Sequence, residues 1–197
     1  VRDWQRGAAS ASMHLGIWPQ HASGRVYVGG APPLGRLDAT MLAGLAGLAE
    51  RFGDGTLRFT AWQSVLLPNV ATAQAGALMG DLMALGLSCD AGSPLAHLVA
   101  CTGSSACAKG LADTKQDARQ LASLLPKPMT IHLTGCQRSC AAAHVAPVTL
   151  LAVAPGHYDL YLRSPEHAGF GVLRERNLTI EAASAWFEAR QWSNTDD

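Results

Sequence analysis

The sequence is poor in lysine and has no long apolar run. Its 15 lysines and arginines, only three of them lysine, balance 15 aspartates and glutamates, so the formal net charge is zero. Because phosphate neutralisation needs a basic face, this balance argues against a nucleic acid as partner. No run of about eighteen apolar residues occurs, so no segment is predicted to span a membrane.

The sequence also lacks a visible secretory segment, although it begins at Val1 and not at Met. With 197 residues, 48% of them hydrophobic, the chain is long enough to bury a core of its own in one or two compact units. A scaffold held together by disulfides is therefore not needed to explain its folding.

Four of the five cysteines form two close pairs, Cys101/Cys107 and Cys136/Cys140. Each pair follows a strand-like run, from Leu95 to Ala100 and from Met129 to Thr134, and lies in a stretch rich in small residues. Two such loops, if they meet in space, would form a site with four thiolates. Cys89 lies outside both pairs, and we interpret it as a buried small hydrophobic residue.

Three interpretations of the pairs are open at this point. Zinc sites favour cysteines two to four residues apart, which fits the first pair poorly. Disulfide frameworks are typical of small secreted domains. An iron-sulfur cluster needs four thiolates on loops that can wrap around it, and two loops rich in glycine, serine and alanine can provide them. The spacing favours the cluster over the other two.

The first part of the chain predicts alternating strands and helices after a tail or linker at residues 1–12. A strand is predicted at Val26–Val28, and a helix capped by Asp38 or Thr40 is predicted to end at Gly53. The alternation from Leu57 to Val65 predicts a strand with Leu57, Phe59, Ala61 and Val65 in the core and Arg58, Thr60, Trp62 and Ser64 on the opposite face. A helix follows from about Thr72 to Leu85, with Leu78, Met79, Leu82 and Met83 directed inward.

The second part contains both cysteine pairs and predicts a further layer of strands and helices. A helix is predicted from Asp113-Thr114 to Leu125 and another from Ile180 to about Trp192. Pro147–Val153 and Tyr158–Leu162 predict a hairpin. The fold class is therefore α+β, with a ferredoxin-like half-domain at residues 13–92 and an α/β domain that carries the cysteines at residues 93–197.

The cysteine motifs resemble a known family. LVACTGSSACAKGLADTK, followed by TGCQRSC and AAAHVAPVTLLAV, resembles the cluster-binding segment of the nitrite and sulfite reductase superfamily, whose enzymes carry sirohaem and a 4Fe-4S cluster. Upstream, GIWPQ, GRVYVG and LGRL resemble its ferredoxin-like half-repeat. The resemblance implies that Cys101, Cys107, Cys136 and Cys140 hold one 4Fe-4S cluster. Reduced thiolates imply a reducing compartment, with the cytoplasm as the default.

Within the superfamily the chain most closely resembles the precorrin-3B synthases of aerobic cobalamin biosynthesis. This resemblance implies an oxidoreductase that uses dioxygen to convert precorrin-3A into precorrin-3B, with a tetrapyrrole as substrate and an external electron donor. Superfamily members are internally duplicated, so the chain is expected to be the C-terminal half and to need the N-terminal half or a second copy. A complete short protein is the other interpretation.

Two departures from the superfamily pattern bear on the ligand. The reductases carry Thr-x-Arg-Gln where this chain has Thr60-Ala61-Trp62-Gln63, and Gly-Cys-Pro-Asn-Ser-Cys where it has Gly135 to Cys140 with Gln137-Arg138 inside. The loss of one cation and the gain of another indicate a changed ligand or pose, because arginine binds carboxylates with exacting geometry. Sirohaem with an oxyanion is therefore the less favoured interpretation, as is a non-catalytic electron-transfer module.

The candidate substrate-binding residues follow from these patterns, and no catalytic residue is assigned. They are cations, a hydroxyl and an aromatic ring suited to a polycarboxylated macrocycle, namely Arg58, Thr60, Trp62, Lys109 and Arg138. The resemblance also implies a possible mononuclear non-haem iron. His97, His132 and His144 are its candidate ligands, although none has ligand spacing with a carboxylate, and each is better explained as an ordinary hydrogen-bonded histidine.

Overall fold

The computed structural model describes residues 12–142 and 146–190, which form two compact units divided between Ala91 and Gly92. The sequence predicted a division one residue later. Of the predicted tail, residues 1–11 lie outside the described residues. The first unit is a four-stranded sheet with two helices, and the second is a five-stranded sheet with two helices.

The sheet of the first unit is antiparallel throughout, in the order β1-β2-β4-β3. Its elements, in chain order, are β1 (Gly16–Pro19), β2 (Arg25–Gly30), α1 (Ala39–Phe52), β3 (Arg58–Phe59), β4 (Val65–Ala71) and α2 (Ala75–Ala84). Alternate residues of β2 and β4 pack against buried residues of both helices, among them Val28, Leu67, Leu45 and Leu78. This cluster is the core of the first unit.

Helix α1 begins and ends where its capping residues predict. The Asp38 carboxylate accepts a hydrogen bond from the Met41 N–H at 2.8 Å, which satisfies one of the free donors of the first turn. At the other end the Gly53 N–H donates to the Ala49 carbonyl. Between these caps Leu45, Ala49 and Phe52 lie on the buried face.

The predicted strand from Leu57 to Val65 is wrong, because the chain reverses inside it. The Thr60 side chain accepts hydrogen bonds from the N–H groups of Trp62 and Ser64, at 3.2 and 3.3 Å, and Gln63 adopts a positive φ of 57°. A hydroxyl that bonds to nearby backbone competes with the strand ladder. Strand β3 therefore stops at Phe59, and the reversal joins it to β4 as a hairpin.

The predicted faces of that strand are wrong in part. Val65 is 1% exposed and Leu57 packs against the core, as predicted. Phe59, predicted in the core, is 64% exposed, whereas Ser64, predicted on the opposite face, is 1% exposed. The period-two alternation fails because the residues on either side of the reversal belong to different strands.

Helix α2 is shorter than predicted and has one fewer inward methionine. Residues Thr72–Gln74 form a 3₁₀ turn, and the α-helix begins at Ala75. Leu78 and Leu82 are fully buried and Met79 packs against the core, but Met83 is 57% exposed. Leu78 and Leu82, four residues apart, form the centre of the buried stripe, and Met83 lies outside it.

The second unit has a mixed sheet in the order β5-β6-β7-β8-β9. Its elements are β5 (Leu98–Ala100), α3 (Thr114–Leu124), β6 (Ile131–Thr134), β7 (Val148–Ala154), β8 (His157–Leu162), β9 (Val172–Leu178) and α4 (Ile180–Ala189). Strands β5, β6 and β7 are parallel, and β7, β8 and β9 are antiparallel. The predicted hairpin corresponds to β7 and β8.

Three details of the two sheets differ from the sequence-based expectation. The strand-like run before the first cysteine is mostly a 3₁₀ turn, Pro94–His97, and only Leu98–Ala100 forms β5. Strand β9 was not predicted, because its central Arg174, Glu175 and Arg176 interrupt any apolar alternation. Charged residues are typical of a sheet edge, where they discourage pairing with other chains. The short edge strand β1 (Gly16–Pro19) was also not predicted as a strand.

No helix in the described parts of the chain is both long enough and apolar enough to cross a membrane.

Candidate iron-sulfur site

The first cysteine loop begins directly after β5. Cys101 follows Ala100, and Gly103 turns the chain with a positive φ of 70°. A Cβ on Gly103 would lie 2.7 Å from the Thr114 nitrogen and 2.8 Å from the Ala112 oxygen, so the position admits only glycine without a shift of the backbone. The loop is therefore folded tightly against the start of α3.

The second cysteine loop begins directly after β6. The Thr134 hydroxyl donates to the Cys136 carbonyl at 2.8 Å, and the Ser139 hydroxyl donates to the Ala142 carbonyl at 2.8 Å. Ser139 has a positive φ of 53°, which turns the chain back before Cys140. These bonds give this loop a defined path between its two thiols.

The two loops lie together because β5 and β6 are neighbouring parallel strands, with Ala100 opposite Leu133. The carboxyl ends of parallel strands meet at one edge of the sheet. There the Leu111 N–H donates to the Gly135 carbonyl at 2.9 Å, and the Gly135 N–H donates to the Cys101 sulfur at 3.2 Å. A Cβ on Gly135 would lie 3.0 Å from the Gly110 Cα, so the backbones of the two loops are in close contact.

Cys101 lies in surroundings that favour a thiolate. Burial by itself would raise the pKa of this thiol, but N–H groups of Gly135 and Gly103 and hydroxyls of Thr114 and Thr134 together outweigh it and lower the pKa. Hydrogen bonds of this kind stabilise the charged form of the sulfur. The thiolate is the form that binds iron.

Two of the other thiols in the pairs are more accessible than Cys101. Cys136 is half-buried, whereas Cys107 and Cys140 are exposed, and all five cysteines, each within the described residues, are free. Among residues 12–142 and 146–190, no three His, Cys, Asp or Glu side chains come together around a single metal ion. A four-iron cluster takes its thiolates at separate corners, so its ligands stand further apart than those of one zinc ion. The donor set and the glycine-lined junction fit such a cluster.

Lys109 lies on the first cysteine loop and Arg138 on the second, and both side chains are exposed.

The histidines proposed for a second iron are less favourably placed. His132 is 1% exposed and its Nε2 atom has no hydrogen-bond partner in the described residues, while burial lowers the pKa of this histidine to about 4. His144 lies outside the described residues, and His97 is half-buried in the 3₁₀ turn before β5.

The remaining predicted substrate-binding residues lie in the hairpin of the first unit. Arg58 is exposed in β3, Thr60 holds the reversal, and Trp62 is 64% exposed. The Trp62 ring stacks on His14, with 5.5 Å between centroids and 13° between planes. The hairpin therefore presents an aromatic ring and a cation at the surface of this unit, on two sides of a turn and not on one strand.

Cys89 belongs to neither site. It is 7% exposed in the first unit, and burial raises the pKa of its thiol to about 11. The interpretation of Cys89 as a small buried hydrophobic residue is confirmed.

Sequence reasoning assigned no role to the residues at the end of the first cysteine motif that support Cys101. The Thr114 hydroxyl donates to the Cys101 carbonyl at 2.8 Å and lies 3.5 Å from its sulfur. Lys115 is buried beside it and donates to the Ala100 carbonyl at 2.9 Å. The capping pattern at Asp113 identified the start of the helix, but no local signal showed that this helix start packs on a cysteine loop.

Comparison with known proteins identifies relatives of this chain. Residues 19–85 match the family described as the nitrite/sulfite reductase ferredoxin-like half domain. The chain is related to the nitrite and sulfite reductases. It is 38% identical over 143 residues to a chloroplastic ferredoxin-nitrite reductase of Zea mays, a match that covers 68% of this chain and 25% of the relative.

Two further relatives extend the similarity to sulfite reductases and to a solved structure. The chain is 33% identical over 148 residues to sulfite reductase [ferredoxin] 2 of Mycolicibacterium paratuberculosis, covering 70% of this chain and 26% of that protein. It superposes on the NirA protein of Mycobacterium tuberculosis with a TM-score of 0.76 and 26% identity, covering 93% of this chain and 39% of the other. The predicted fold class is confirmed.

The chain spans about a quarter of the length of the curated relatives that it matches. None of the relatives named here is a precorrin-3B synthase, and the closer resemblance to that enzyme is not shown.

Proposed function

We propose that this chain is the cluster-binding part of an oxidoreductase of the nitrite/sulfite reductase type. In this proposal Cys101, Cys107, Cys136 and Cys140 hold one 4Fe-4S cluster, which supplies single-electron transfer when bound. The observation that carries it is the direct link between the loops, in which the Gly135 N–H of one loop donates to the Cys101 sulfur of the other. Hydrogen bonds from backbone N–H groups to cluster sulfurs are a common means of tuning such sites.

The chain's own residues prepare this site in two ways. The glycine contacts between Gly110 and Gly135 hold the two loops at a fixed separation. The hydrogen bonds around Cys101 lower the pKa of that thiol, which reduces the cost of losing the proton when iron binds.

The substrate proposed for the whole enzyme is nitrite or sulfite, with sirohaem as the second cofactor and ferredoxin as electron donor. The relatives support this choice, since their names give ferredoxin, nitrite and sulfite. In the hairpin, Arg58 would pair with a carboxylate of the tetrapyrrole and Trp62 would contact its face. Lys109 and Arg138 are proposed to neutralise further negative charge near the thiols.

A second candidate keeps the same cluster but makes the tetrapyrrole the substrate, as in precorrin-3B synthase. The observation that favours it is Trp62, an exposed aromatic ring at the place where the reductases carry an arginine. A non-haem iron would be needed to activate dioxygen, and no ligand set for one occurs in the described residues. The relatives support the reductase better than this candidate.

Anaerobic reconstitution with iron and sulfide tests the cluster. We expect four irons and four acid-labile sulfides per chain, and loss of most of both when any one of Cys101, Cys107, Cys136 or Cys140 is changed to Ser. Cys89→Ser is the matched control and should retain the full content. Stoichiometric zinc without labile sulfide after anaerobic purification would overturn the proposal.

The two candidate functions separate in a second experiment. The longest available form of the protein is loaded with cluster and sirohaem and then assayed for reductant-dependent consumption of nitrite and of sulfite. In parallel, the form without sirohaem is given precorrin-3A, dioxygen and reductant. Sirohaem binding with nitrite or sulfite turnover supports the reductase, whereas precorrin-3A turnover without sirohaem supports the second candidate.

A further inference from the structure

Helix α3 begins directly on the first cysteine loop. Its first residue, Thr114, is fully buried and contacts both the carbonyl and the sulfur of Cys101. The Asp113 carboxylate caps the helix by accepting from the Gln116 N–H at 3.2 Å. The amino end of a helix carries a partial positive charge. The first thiol of the proposed cluster therefore lies beside the positive end of an eleven-residue helix.

The second residue of this helix adds a full charge. Lys115 is 8% exposed, and its Nζ donates to the carbonyl of Ala100 at 2.9 Å. That carbonyl belongs to the peptide bond that joins Ala100 to Cys101. Among the residues that the structure describes, Lys115 is the only lysine or arginine that is buried, whereas Lys109 and Arg138 on the cysteine loops are exposed.

Because Lys115 is buried, its charge interacts more strongly with nearby groups than an exposed charge would. Moving an ammonium group from water into the protein interior costs free energy, and nearby negative charge offsets part of that cost. Four thiolates and the sulfides of a cluster provide that negative charge. A charge at the surface is screened by water and salt, so Lys109 and Arg138 should act on the site much less than Lys115.

We propose that Lys115 raises the reduction potential of the cluster. Its buried ammonium holds a fixed positive charge on the carbonyl of the peptide bond between Ala100 and Cys101. The inference rests on the proposed function. Reduction takes one electron from an external one-electron donor, which is oxidised, and no bond is made or broken. Because the added electron increases the negative charge, the Lys115 ammonium stabilises the reduced form more than the oxidised form and raises the potential.

Two carboxylates on the same helix oppose this effect. Asp113 caps the first turn, and Asp117 accepts a hydrogen bond from the buried Tyr158 hydroxyl at 2.5 Å. Their negative charges favour the oxidised form. Lys115 therefore works against them, and removing it should leave the local charge clearly more negative.

The test is a redox titration of the cluster-loaded chain, followed by electron paramagnetic resonance. Lys115→Met removes the charge and keeps the length of the side chain, and Lys115→Gln removes the charge but keeps a donor group. At a fixed ambient potential we expect each to lower the ratio of reduced to oxidised cluster about tenfold, which is about 59 mV for a one-electron couple. Lys115→Arg and the exposed Lys127→Met should keep the wild-type ratio.

Three results would overturn the inference about Lys115. An unchanged ratio in Lys115→Met and Lys115→Gln would overturn the inference, as would an equal fall in Lys115→Arg. If both neutral variants fail to load a cluster while Lys115→Arg loads it fully, the charge is needed for assembly and not for the potential, and the inference is again overturned. Absence of any cluster from the wild-type chain is a different result, which refutes the proposed function itself.

Discussion

Gly103 shows how one residue determines the path of a cysteine loop. Its positive φ of 70° and the 2.7 Å that would separate an added Cβ from the Thr114 nitrogen act together at this position. Gly156, in the turn between β7 and β8, has nearly the same φ of 69°, but an added Cβ there would meet nothing within 4 Å. The two glycines therefore separate the cost of the backbone conformation from the cost of the steric clash.

We expect Gly156→Ala to lower the free energy of unfolding by about 1–2 kcal/mol, the cost of a left-handed conformation for alanine. Gly103→Ala should lose a further ~1–3 kcal/mol, because Thr114 must move to admit the new methyl group. Denaturant unfolding of both variants under identical conditions measures the difference. Equal losses would mean that the loop moves freely and is not held against α3.

His132 carries a second prediction at the scale of a residue. It lies in β6 between Val99 and Thr149 on the neighbouring strands, and burial lowers its pKa from 6.5 to about 4. The unfolded chain takes up a proton at this histidine below about pH 6.5, whereas the folded chain does so only near pH 4. Protonation therefore favours unfolding, and stability falls as the pH is lowered from 6.5 to 4.

The expected contribution of His132 to this loss is about 3 kcal/mol, at 1.36 kcal/mol for each unit of pH. His132→Gln should flatten the dependence of the unfolding free energy on pH over this range by a similar amount. The matched control is Thr149→Val on the neighbouring strand, which removes no titratable group and should keep the wild-type slope. A parallel fall in the wild type and in His132→Gln would contradict the prediction.

At the scale of elements, the cap of α3 supports the cysteine loop. The Asp113 carboxylate satisfies the Gln116 N–H, and the helix that it begins places Thr114 on Cys101. Asp113→Ala should cost about 1 kcal/mol of unfolding free energy. Asp113→Asn should cost little, because asparagine caps a helix almost as well. Thermal unfolding of the two variants measures this, and an equal loss in both would show that the charge and not the cap matters.

The hairpin of β3 and β4 carries the proposed tetrapyrrole contacts. Arg58→Gln should weaken tetrapyrrole binding by roughly 1.5–3 kcal/mol if the ion pair is partly buried in the complex. Trp62→Phe should weaken it by a smaller amount, since a ring remains. Fluorescence quenching by sirohaem measures the affinity of both variants. The comparison requires that their cluster content and melting temperature are unchanged.

Leu42→Gln is the control for the hairpin, since Leu42 is an exposed apolar side chain of α1 in the same unit, 44% exposed. It should leave tetrapyrrole affinity unchanged. A lower melting temperature with unchanged affinity in Arg58→Gln and Trp62→Phe would assign the hairpin a structural role instead.

At the scale of the whole molecule, the chain corresponds to 39% of the NirA chain and to 25% of the maize nitrite reductase. Neither relative is covered over even half of its length. We therefore expect the 197-residue chain, loaded with cluster and sirohaem, to give no measurable turnover of nitrite or sulfite with a chemical reductant. Turnover at a rate typical of enzymes, about 1–1,000 per second, would show that this chain is sufficient.

The amino-acid sequence alone was enough to predict the helices, the two loops that carry the cysteine pairs and the α+β class. These depend on local signals: Asp38 and Asp113 cap α1 and α3 where the apolar spacing begins, and Cys101/Cys107 and Cys136/Cys140 each follow a strand. A cap or a helical stripe is decided within a few residues, so its evidence lies in the sequence itself.

The hairpin, the edge strand β9 and the surroundings of Cys101 depend on tertiary contacts and could not be predicted from the sequence. Phe59 is exposed because Thr60 reverses the chain, and β9 forms because β8 offers it a partner, although its own pattern is polar. Lys115 lies near Cys101 because β5, β6 and α3 meet at one end of a sheet. Such contacts join residues far apart in the sequence. The effect of each residue then depends on its burial and its neighbours more than on its type.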